Sequence, residues 1–230
     1  MRVAYLHGFA GDPAAWQPVL AALPRHDARP IALPGHGGGP VPGTWDDGLA
    51  AVAGAIGDVE LVVGYSLGAR VALGLLAGGR IPRAILVSVN PGIDDAERAA
   101  RRASDAAWAR LLRERGIAAF ADAWEAQPLF ATQARVASDR RAARRARRLA
   151  LDPEGLARRL EVMGLAGMPD LRSAVTAARA ALIAGADDPK YVAIARALPA
   201  PLAVIDGSGH DPTLEQPARL AGAIAAIAGL

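Results

Sequence analysis

The chain has 230 residues, of which 52% are hydrophobic, 4% are aromatic and 21% are charged. This composition excludes an intrinsically disordered chain and suffices for one α/β domain with a sizeable core. Because cysteine is absent, disulfides, thiol catalysis and thiolate metal sites are excluded.

The formal net charge is only +3, although arginine dominates the bases and Lys190 is the only lysine. The arginines lack the interleaved aromatic residues and the motif of a nucleic-acid-binding protein, so nucleic acid is not the expected partner. The N-terminus begins a strand almost at once, without the apolar region of a signal peptide. No apolar run approaches the roughly 18 residues that span a bilayer, and we expect a cytoplasmic protein.

Short apolar runs alternate with longer helical stretches, which predicts a parallel sheet wrapped by helices. The predicted strands are 2–6, 28–33, 59–65, 83–89, 180–185 and 201–206. The predicted helices are 13–23, 45–57, 67–79, 189–198 and 215–228. Glycine-bearing loops follow most of the strands, and loops at the carboxyl ends of parallel strands build the active site of such a sheet.

The alternation stops between residues 93 and 168, a stretch that is rich in alanine and arginine and predicts several helices without a strand. Since this stretch follows one predicted strand and precedes a return to the β–α alternation, we expect a helical cap over the active edge of the sheet. The predicted organisation is a core of residues 1–92 and 169–230, with residues 93–168 inserted into the same domain.

The sequence G-Y-S-L-G at residues 64–68 follows an apolar run and precedes a helix-forming segment. This is the context of a nucleophile elbow, in which glycines two positions from the serine relieve crowding in a strained turn. The helix that follows directs its first amide groups at the site. Ser66 is therefore the candidate catalytic residue, and a serine that only caps the helix is the alternative.

A serine acts as a nucleophile or base when a histidine is hydrogen-bonded to it and a carboxylate orients that histidine. His210 follows the last predicted strand, and it lies downstream of the serine and of the candidate acids, as the order serine, acid, histidine requires. Asp187 and Asp188, after strand 180–185, are those acids. His7 and His36 lie in glycine-rich loops, where we expect them to shape the backbone.

An oxyanion site built from backbone amides should accompany the serine. Its expected donors are Leu67, the residue after the serine, and Phe9 in the first β–α loop. Packing of the Phe9 ring in the core is an alternative that is compatible with this role of its amide.

Together these motifs resemble the α/β-hydrolase superfamily over the whole chain, and its G-x-x-D spacing favours Asp188 as the acid, with Asp187 as the fallback. Within the superfamily the chain resembles the 2-succinyl-6-hydroxy-2,4-cyclohexadiene-1-carboxylate synthase family of menaquinone biosynthesis. The matching segments are LHGF, LPGHGG, GYSLGAR, ERAARRASDAAW, WEAQPLF, MGLAGMPDLR, GADDPK and GSGH.

This resemblance implies a lyase without metal or cofactor that eliminates pyruvate from a small polycarboxylate, with the triad as a proton-abstracting base. Three substrate carboxylates call for forked, permanently charged donors, which arginine supplies. The implied substrate-binding residues are Tyr65, Arg70, Arg101, Trp124 and Arg148. Arg101 and Arg148 lie in arginine runs, for which a solvated helix face is the alternative.

The sequence departs from the family pattern in the segment VNPGID after the fourth strand, and at Thr213, where a second histidine is common. Two other functions use the same fold. A serine carboxylic-ester hydrolase would share every triad residue and differ in what the cap binds. A non-catalytic receptor for a small ligand would not need all three triad side chains, so their presence disfavours it.

Overall fold

The computed structural model describes residues 1–37 and 41–230, and Gly38 of the LPGHGG motif lies outside the described residues. Within these ranges one six-stranded parallel sheet has the strand order β2-β1-β3-β4-β5-β6. The strands are β1 Arg2–Leu6, β2 Asp27–Ile31, β3 Leu61–Tyr65, β4 Ala84–Val87, β5 Ala180–Gly185 and β6 Leu202–Ile205. Each matches its predicted range to within two residues at either end.

The central strands are apolar along their whole length. All residues of β3, β4 and β5 are buried, because helices cover both faces of a parallel sheet. One apolar cluster packs β3 and β4 against Trp45, Leu49 and Leu73. A second cluster on the opposite face holds Trp16 and Leu220.

The α-helices of the described residues are α1 Gln17–Leu20, α2 Trp45–Ile56, α3 Leu67–Ala77, α4 Asp95–Glu125, α5 Ser138–Leu149, α6 Pro153–Met163, α7 Pro189–Arg196, α8 Pro212–Glu215 and α9 Pro217–Ala228. Short 3-10 segments occupy Pro13–Trp16, Pro128–Arg135 and Arg172–Ala174.

Two predicted helices are interrupted at prolines. The predicted helix 13–23 is a 3-10 turn followed by the single turn α1, with Pro18 in its first turn. The predicted helix 215–228 is divided at Gln216 between α8 and α9, where Pro217 begins the second helix. Proline lacks an amide hydrogen and favours the first turn of a helix, so it marks a new start.

Residues 93–168, all of them described, contain α4, α5 and α6 and no strand. Helix α4 is interrupted at Gly116, whose φ of +73° lies in the left-handed region that favours glycine. An apolar cluster joins α4 and α6 to Ala10 in the loop after β1. These helices therefore lie against the carboxyl edge of the sheet, and the proposed cap boundaries stay a prediction.

No helix formed by the described residues has the length and apolar character that crossing a membrane requires.

Candidate active site

Ser66 lies between β3 and α3, at the carboxyl edge of the sheet. Its φ of +50° and ψ of −104° are a strained combination for a residue with a side chain. The flanking glycines make the turn possible: a Cβ on Gly64 would lie 2.3 Å from the Gly68 carbonyl oxygen, and one on Gly68 would lie 2.2 Å from the Leu6 carbonyl oxygen. The G-x-S-x-G spacing thus lets the new helix pack closely on β1.

His210 connects the serine with Asp188. The His210 Nδ1 atom is 2.8 Å from Asp188 Oδ2, and Nε2 is 3.1 Å from Ser66 Oγ. Since an ionised carboxylate only accepts hydrogen bonds, Nδ1–H donates to Asp188 and Nε2 accepts from the serine hydroxyl. His210 and Asp188 are buried. The three side chains therefore have the geometry of a relay that takes a proton from Ser66.

The two candidate acids have different surroundings. Asp188 is the N-cap of α7, and its second oxygen accepts from the Tyr191 amide at 3.2 Å. Asp187 points to the exterior, where it forms an exposed ion pair with Arg135. The structure brings Asp188, and not Asp187, to His210.

The loop that holds His210 is fixed on several sides. The Ser88 hydroxyl donates to the His210 carbonyl oxygen at 2.9 Å. Next in the chain, Asp211 forms a buried ion pair with Arg144 of α5 at 2.9 Å, and Arg144 also donates to Thr213 Oγ1 at 3.0 Å. Thr213, where the family commonly has a histidine, thus belongs to a network that ties this loop to the helical segment.

The two predicted oxyanion donors, Phe9 and Leu67, line the same cavity as Ser66. Leu67 is the first residue of α3, so its amide has no acceptor inside the helix. Phe9 follows β1, and its ring packs edge-on against Phe120 and Trp124. Within the described chain, neither amide donates to a backbone carbonyl of a turn or loop. The structure therefore permits both roles expected for Phe9, ring packing and an amide directed at the site.

A cavity lies above Ser66, between the sheet edge and the helices of residues 95–163. Its walls include apolar and aromatic side chains together with several charged ones. The side chains that matter for its chemistry are those of Tyr65, Arg70, Arg101, Asp105, Trp124, Phe130, Arg159, Met163, Tyr191 and His210. No group of three or more histidine, aspartate or glutamate residues that could hold a metal ion occurs among the described residues.

Comparison with known proteins identifies the family. A family model described as the alpha/beta hydrolase family matches residues 3–223. The 2-succinyl-6-hydroxy-2,4-cyclohexadiene-1-carboxylate synthases of Salmonella paratyphi C and Enterobacter sp. (strain 638) are each 34% identical to this chain, over 97% of it and over 92% and 90% of their own lengths. The chain belongs to this synthase family. It is a lyase on the α/β-hydrolase fold, and its family belongs to menaquinone biosynthesis.

Solved structures agree with this assignment. MenH from S. aureus superimposes with a TM-score of 0.92 at 27% identity, over 100% of this chain and 93% of that one. An esterase from Thermogutta terrifontis, solved with malate bound, superimposes with a TM-score of 0.81 at 24% identity, over 100% of this chain and 89% of that one. The second likeness extends to the fold alone.

Four of the five substrate-binding residues expected from the resemblance line the cavity: Tyr65, Arg70, Arg101 and Trp124. The Tyr65 ring lies against Gly8 and 5.7 Å from the His210 ring. The Arg70 guanidinium donates to the Met163 carbonyl oxygen at 3.1 Å, and burial together with the charge of Arg101 lowers the pKa of Arg70 to about 10. Arg101 pairs with Asp105 at 2.9 Å.

Arg148, the fifth of these residues, has a different position. Its side chain is buried, which excludes a solvated face at this residue. It donates to the Ala10 carbonyl oxygen at 3.2 Å and pairs with Glu125, away from the cavity wall. These two contacts hold Arg148 of α5 against α4 and the loop after β1. Arg148 is therefore not among the residues that line the cavity above Ser66.

Tyr191 and Arg159 are among the cavity residues that were not predicted from the sequence. Tyr191 follows Asp188 by one helical turn, and its ring centre is 4.4 Å from that of His210. Arg159 of α6 is 1% exposed and lies beside Met163. The Asp-Pro start of α7 could have indicated that a residue one turn on faces the same way as Asp188. Helical spacing from Leu156 and Met163 places Arg159 on the apolar face of α6 and its neighbour Arg158 on the exposed face, which is the signal that the sequence offered.

Proposed function

We propose that this synthase homologue eliminates pyruvate from 2-succinyl-5-enolpyruvyl-6-hydroxy-3-cyclohexene-1-carboxylate, with Ser66, His210 and Asp188 as the proton-abstracting relay. One observation carries the proposal: the serine relay and the Arg70 guanidinium face the same cavity. The similarity to 2-succinyl-6-hydroxy-2,4-cyclohexadiene-1-carboxylate synthases supports the reaction.

The chemistry of this substrate explains what the site must do. The proton on the ring carbon that bears the succinyl group is acidic because it is α to the succinyl ketone. When a base removes this proton, negative charge develops on the ketone oxygen. The electrons then move through the ring double bond, and the bond from carbon to the enolpyruvyl oxygen breaks. The products are the conjugated diene and enolpyruvate, which becomes pyruvate.

The relay residues suit the proton transfer. In the proposed step, Ser66 Oγ takes the ring proton while its own proton passes to His210 Nε2, 3.1 Å away. Asp188 holds the imidazole in the required tautomer and stabilises its positive charge. The imidazolium can then return the proton to the departing enolpyruvate. No acyl-enzyme is needed, because the bond that breaks lies on the substrate ring.

The backbone amides of Phe9 and Leu67 would donate to the oxygen on which the charge develops. Preorganised donors of this kind are commonly the largest electrostatic contribution to catalysis, since they need no reorientation during the reaction. The Arg70 and Arg101 guanidinium groups would bind substrate carboxylates, and Tyr65 and Trp124 would bound the ring.

The experiment is a direct comparison of two activities. The purified protein is supplied with the enolpyruvyl substrate, and pyruvate release is measured beside the hydrolysis of a simple nitrophenyl ester. We expect the wild-type protein to release pyruvate. The substitutions Ser66→Ala and His210→Ala should each abolish this release. In Arg70→Met it should fall far more than ester hydrolysis, because the nitrophenyl ester has no carboxylate.

Each alternative function has its own result in this experiment. Rapid ester hydrolysis without pyruvate would indicate a serine esterase, for which the same relay geometry suffices. Absence of both activities would favour a receptor. Equal losses of both activities in Arg70→Met would mean that Arg70 only supports the turn at Ser66.

A further inference from the structure

Among the described residues, the guanidinium of Arg159 is the charged group with the most buried atoms that lack a hydrogen-bond partner. This residue of α6 is 1% exposed, and among the described residues its Nε and Nη2 atoms have no hydrogen-bond acceptor. Its Nη1 atom meets the sulfur of Met163, one helical turn on. A thioether is a weak acceptor, so it does not replace a carboxylate or a carbonyl oxygen.

Packing fixes where this side chain can go. The base of Arg159 lies against Gly35 in the loop after β2, where a Cβ on the glycine would come within 3.2 Å of the arginine Cβ. Arg159 is one of the residues that line the cavity above Ser66, and its guanidinium is close enough to the lining residue Arg70 for the two charges to interact. A long side chain that is held at its base and directed inward cannot easily extend to the solvent, as charged side chains otherwise do.

The surrounding charge favours an anion. Arg70, Arg101 and Arg159, here called the arginine cluster, all line this cavity. Asp105 is the one carboxylate among the three guanidinium groups on this wall; its Oδ1 atom is paired with Arg101 at 2.9 Å, and its Oδ2 atom has no hydrogen-bond partner among the described residues. Burial lowers the pKa of Arg159 to about 9, and the charge of Arg70 contributes to this shift. A buried positive charge without a partner is unfavourable unless a bound anion compensates it.

We propose that Arg159 is a substrate-binding residue that holds one carboxylate of the substrate in a forked, two-point contact beside Arg70 and Arg101. The inference rests on the proposed function, because a substrate with three carboxylates would place one anion near each guanidinium of the arginine cluster. In this proposal Arg159 takes the carboxylate-binding role that the resemblance implied for Arg148, whose guanidinium is engaged by Glu125 and Ala10.

The first test compares substitutions at neighbouring positions of α6. Arg159→Met keeps the volume of the side chain and removes its charge, and Arg158→Met is the matched control on the exposed face. For pyruvate release we expect kcat/KM to fall roughly 10- to 100-fold in Arg159→Met, as for the loss of a charged hydrogen-bonded contact. It should change less than about twofold in Arg158→Met.

Stability separates a binding role from a structural one. Since Arg159→Met removes a buried charge that lacks a partner, its melting temperature without ligand should equal or exceed that of the wild type. A lower melting temperature with a proportional loss of nitrophenyl ester hydrolysis would overturn the proposal. Arg159→Lys is the second variant: it keeps the charge but not the fork, and its kcat/KM should lie between those of the wild type and Arg159→Met.

Binding of propane-1,2,3-tricarboxylate provides a readout that does not depend on turnover. This probe should raise the melting temperature of the wild type and of Arg158→Met but not of Arg159→Met, and sodium chloride at equal ionic strength should not reproduce the shift. An equal shift with chloride, or an equal shift by the probe in Arg159→Met, would overturn the proposal.

The two readouts also separate this inference from the proposed function. Pyruvate release by the wild type with an unchanged kcat/KM in Arg159→Met would overturn the role of Arg159 alone. An Arg159-dependent shift with the tricarboxylate, but no pyruvate release, would retain the carboxylate site and reject the lyase reaction on this substrate. If the wild type releases no pyruvate and the tricarboxylate produces no Arg159-dependent shift, both the proposed function and the role of Arg159 are rejected.

Discussion

His7 and His36 fasten two loops of the active edge to each other in a reciprocal pair. His7, after β1, accepts a hydrogen bond at Nε2 from the Leu33 amide at 3.1 Å, while His36, after β2, accepts at Nε2 from the Ala10 amide at 3.1 Å. Their rings meet edge-on with centres 4.9 Å apart. Each accepting nitrogen must be unprotonated, so both histidines are neutral in this arrangement. The pair holds the loop that contains the Phe9 amide.

The neutral pair predicts a loss of stability in mild acid. Burial lowers the pKa of His7 to about 4 and that of His36 well below its ordinary value near 6.5. As the pH falls from 6.5 towards 4, the unfolded chain binds these protons and the folded chain does not. The free energy of unfolding should therefore fall by about 1.4 kcal/mol per pH unit for each histidine, and should not change on their account above pH 6.5.

Urea unfolding at pH values between 7.5 and 5 measures this slope. His7→Gln keeps a donor and an acceptor but does not titrate, so its stability should depend less steeply on pH. His26, partly exposed and outside the pair, provides the matched control. An unchanged slope in His7→Gln would contradict the assignment of the neutral form.

The two adjacent aspartates predict opposite results for one chemical change. Asp188→Asn removes the charge that orients His210 and should lower kcat for pyruvate release about 10²- to 10⁴-fold. Asp187→Asn breaks only the exposed pair with Arg135 and should change kcat less than about twofold. Steady-state kinetics of both variants measures these changes in kcat. Comparable losses of kcat in the two variants would mean that Asp188 is wrongly assigned as the acid.

Local sequence predicted the sheet well because each strand is a short apolar run bounded by turn residues. The ends were less predictable where the backbone depends on distant groups. The predicted strand 83–89 ends at Val87, because Ser88 adopts a φ of +50° and its hydroxyl donates to the carbonyl of His210, 122 residues away. A prediction made from neighbouring residues cannot include a partner so distant in the chain.

The arginines show a sharper limit of sequence reasoning. The G-x-S-x-G spacing and chain order were enough to select Ser66 and His210, whereas the choice of Asp188 over Asp187 needed the G-x-x-D spacing of the superfamily. The runs that contain Arg148 and Arg159 gave no comparable signal, because burial of a guanidinium depends on side chains from other elements. Arg148 meets Glu125 and Ala10, whereas Arg159 is packed against Gly35. Helical spacing defines a face, but not what covers it.

Two glycine-to-alanine substitutions should have opposite effects on stability. In Gly68→Ala the new Cβ would lie 2.2 Å from the Leu6 carbonyl oxygen, so α3 must move from β1, at a cost of about 3 kcal/mol or more. In Gly54→Ala the Cβ meets nothing within 4 Å on the exposed face of α2, and the helix should gain about 0.5–1 kcal/mol. Urea unfolding measures the free energy of unfolding of both variants. If Gly68→Ala is as stable as the wild type, α3 does not pack as closely on β1 as described.

The buried pair of Arg144 and Asp211 predicts that α5 supports the histidine loop. Arg144→Met leaves Asp211 buried without its partner and should lower the free energy of unfolding by about 3–5 kcal/mol. It should also lower kcat for pyruvate release, by up to about 100-fold, because His210 adjoins the released aspartate. Arg147→Met removes the more exposed pair with Asp12 and should cost less than about 1 kcal/mol.

A double variant distinguishes the charge from the packing of Arg144. Asn at position 211 can still accept from the Leu214 amide, as Asp211 does at 3.2 Å, but it carries no charge to compensate. Adding Asp211→Asn to Arg144→Met should therefore recover most of the lost stability, since the buried unpaired carboxylate is gone. If the double variant unfolds as readily as Arg144→Met, the loss comes from packing, and α5 does not act on the histidine loop through this ion pair.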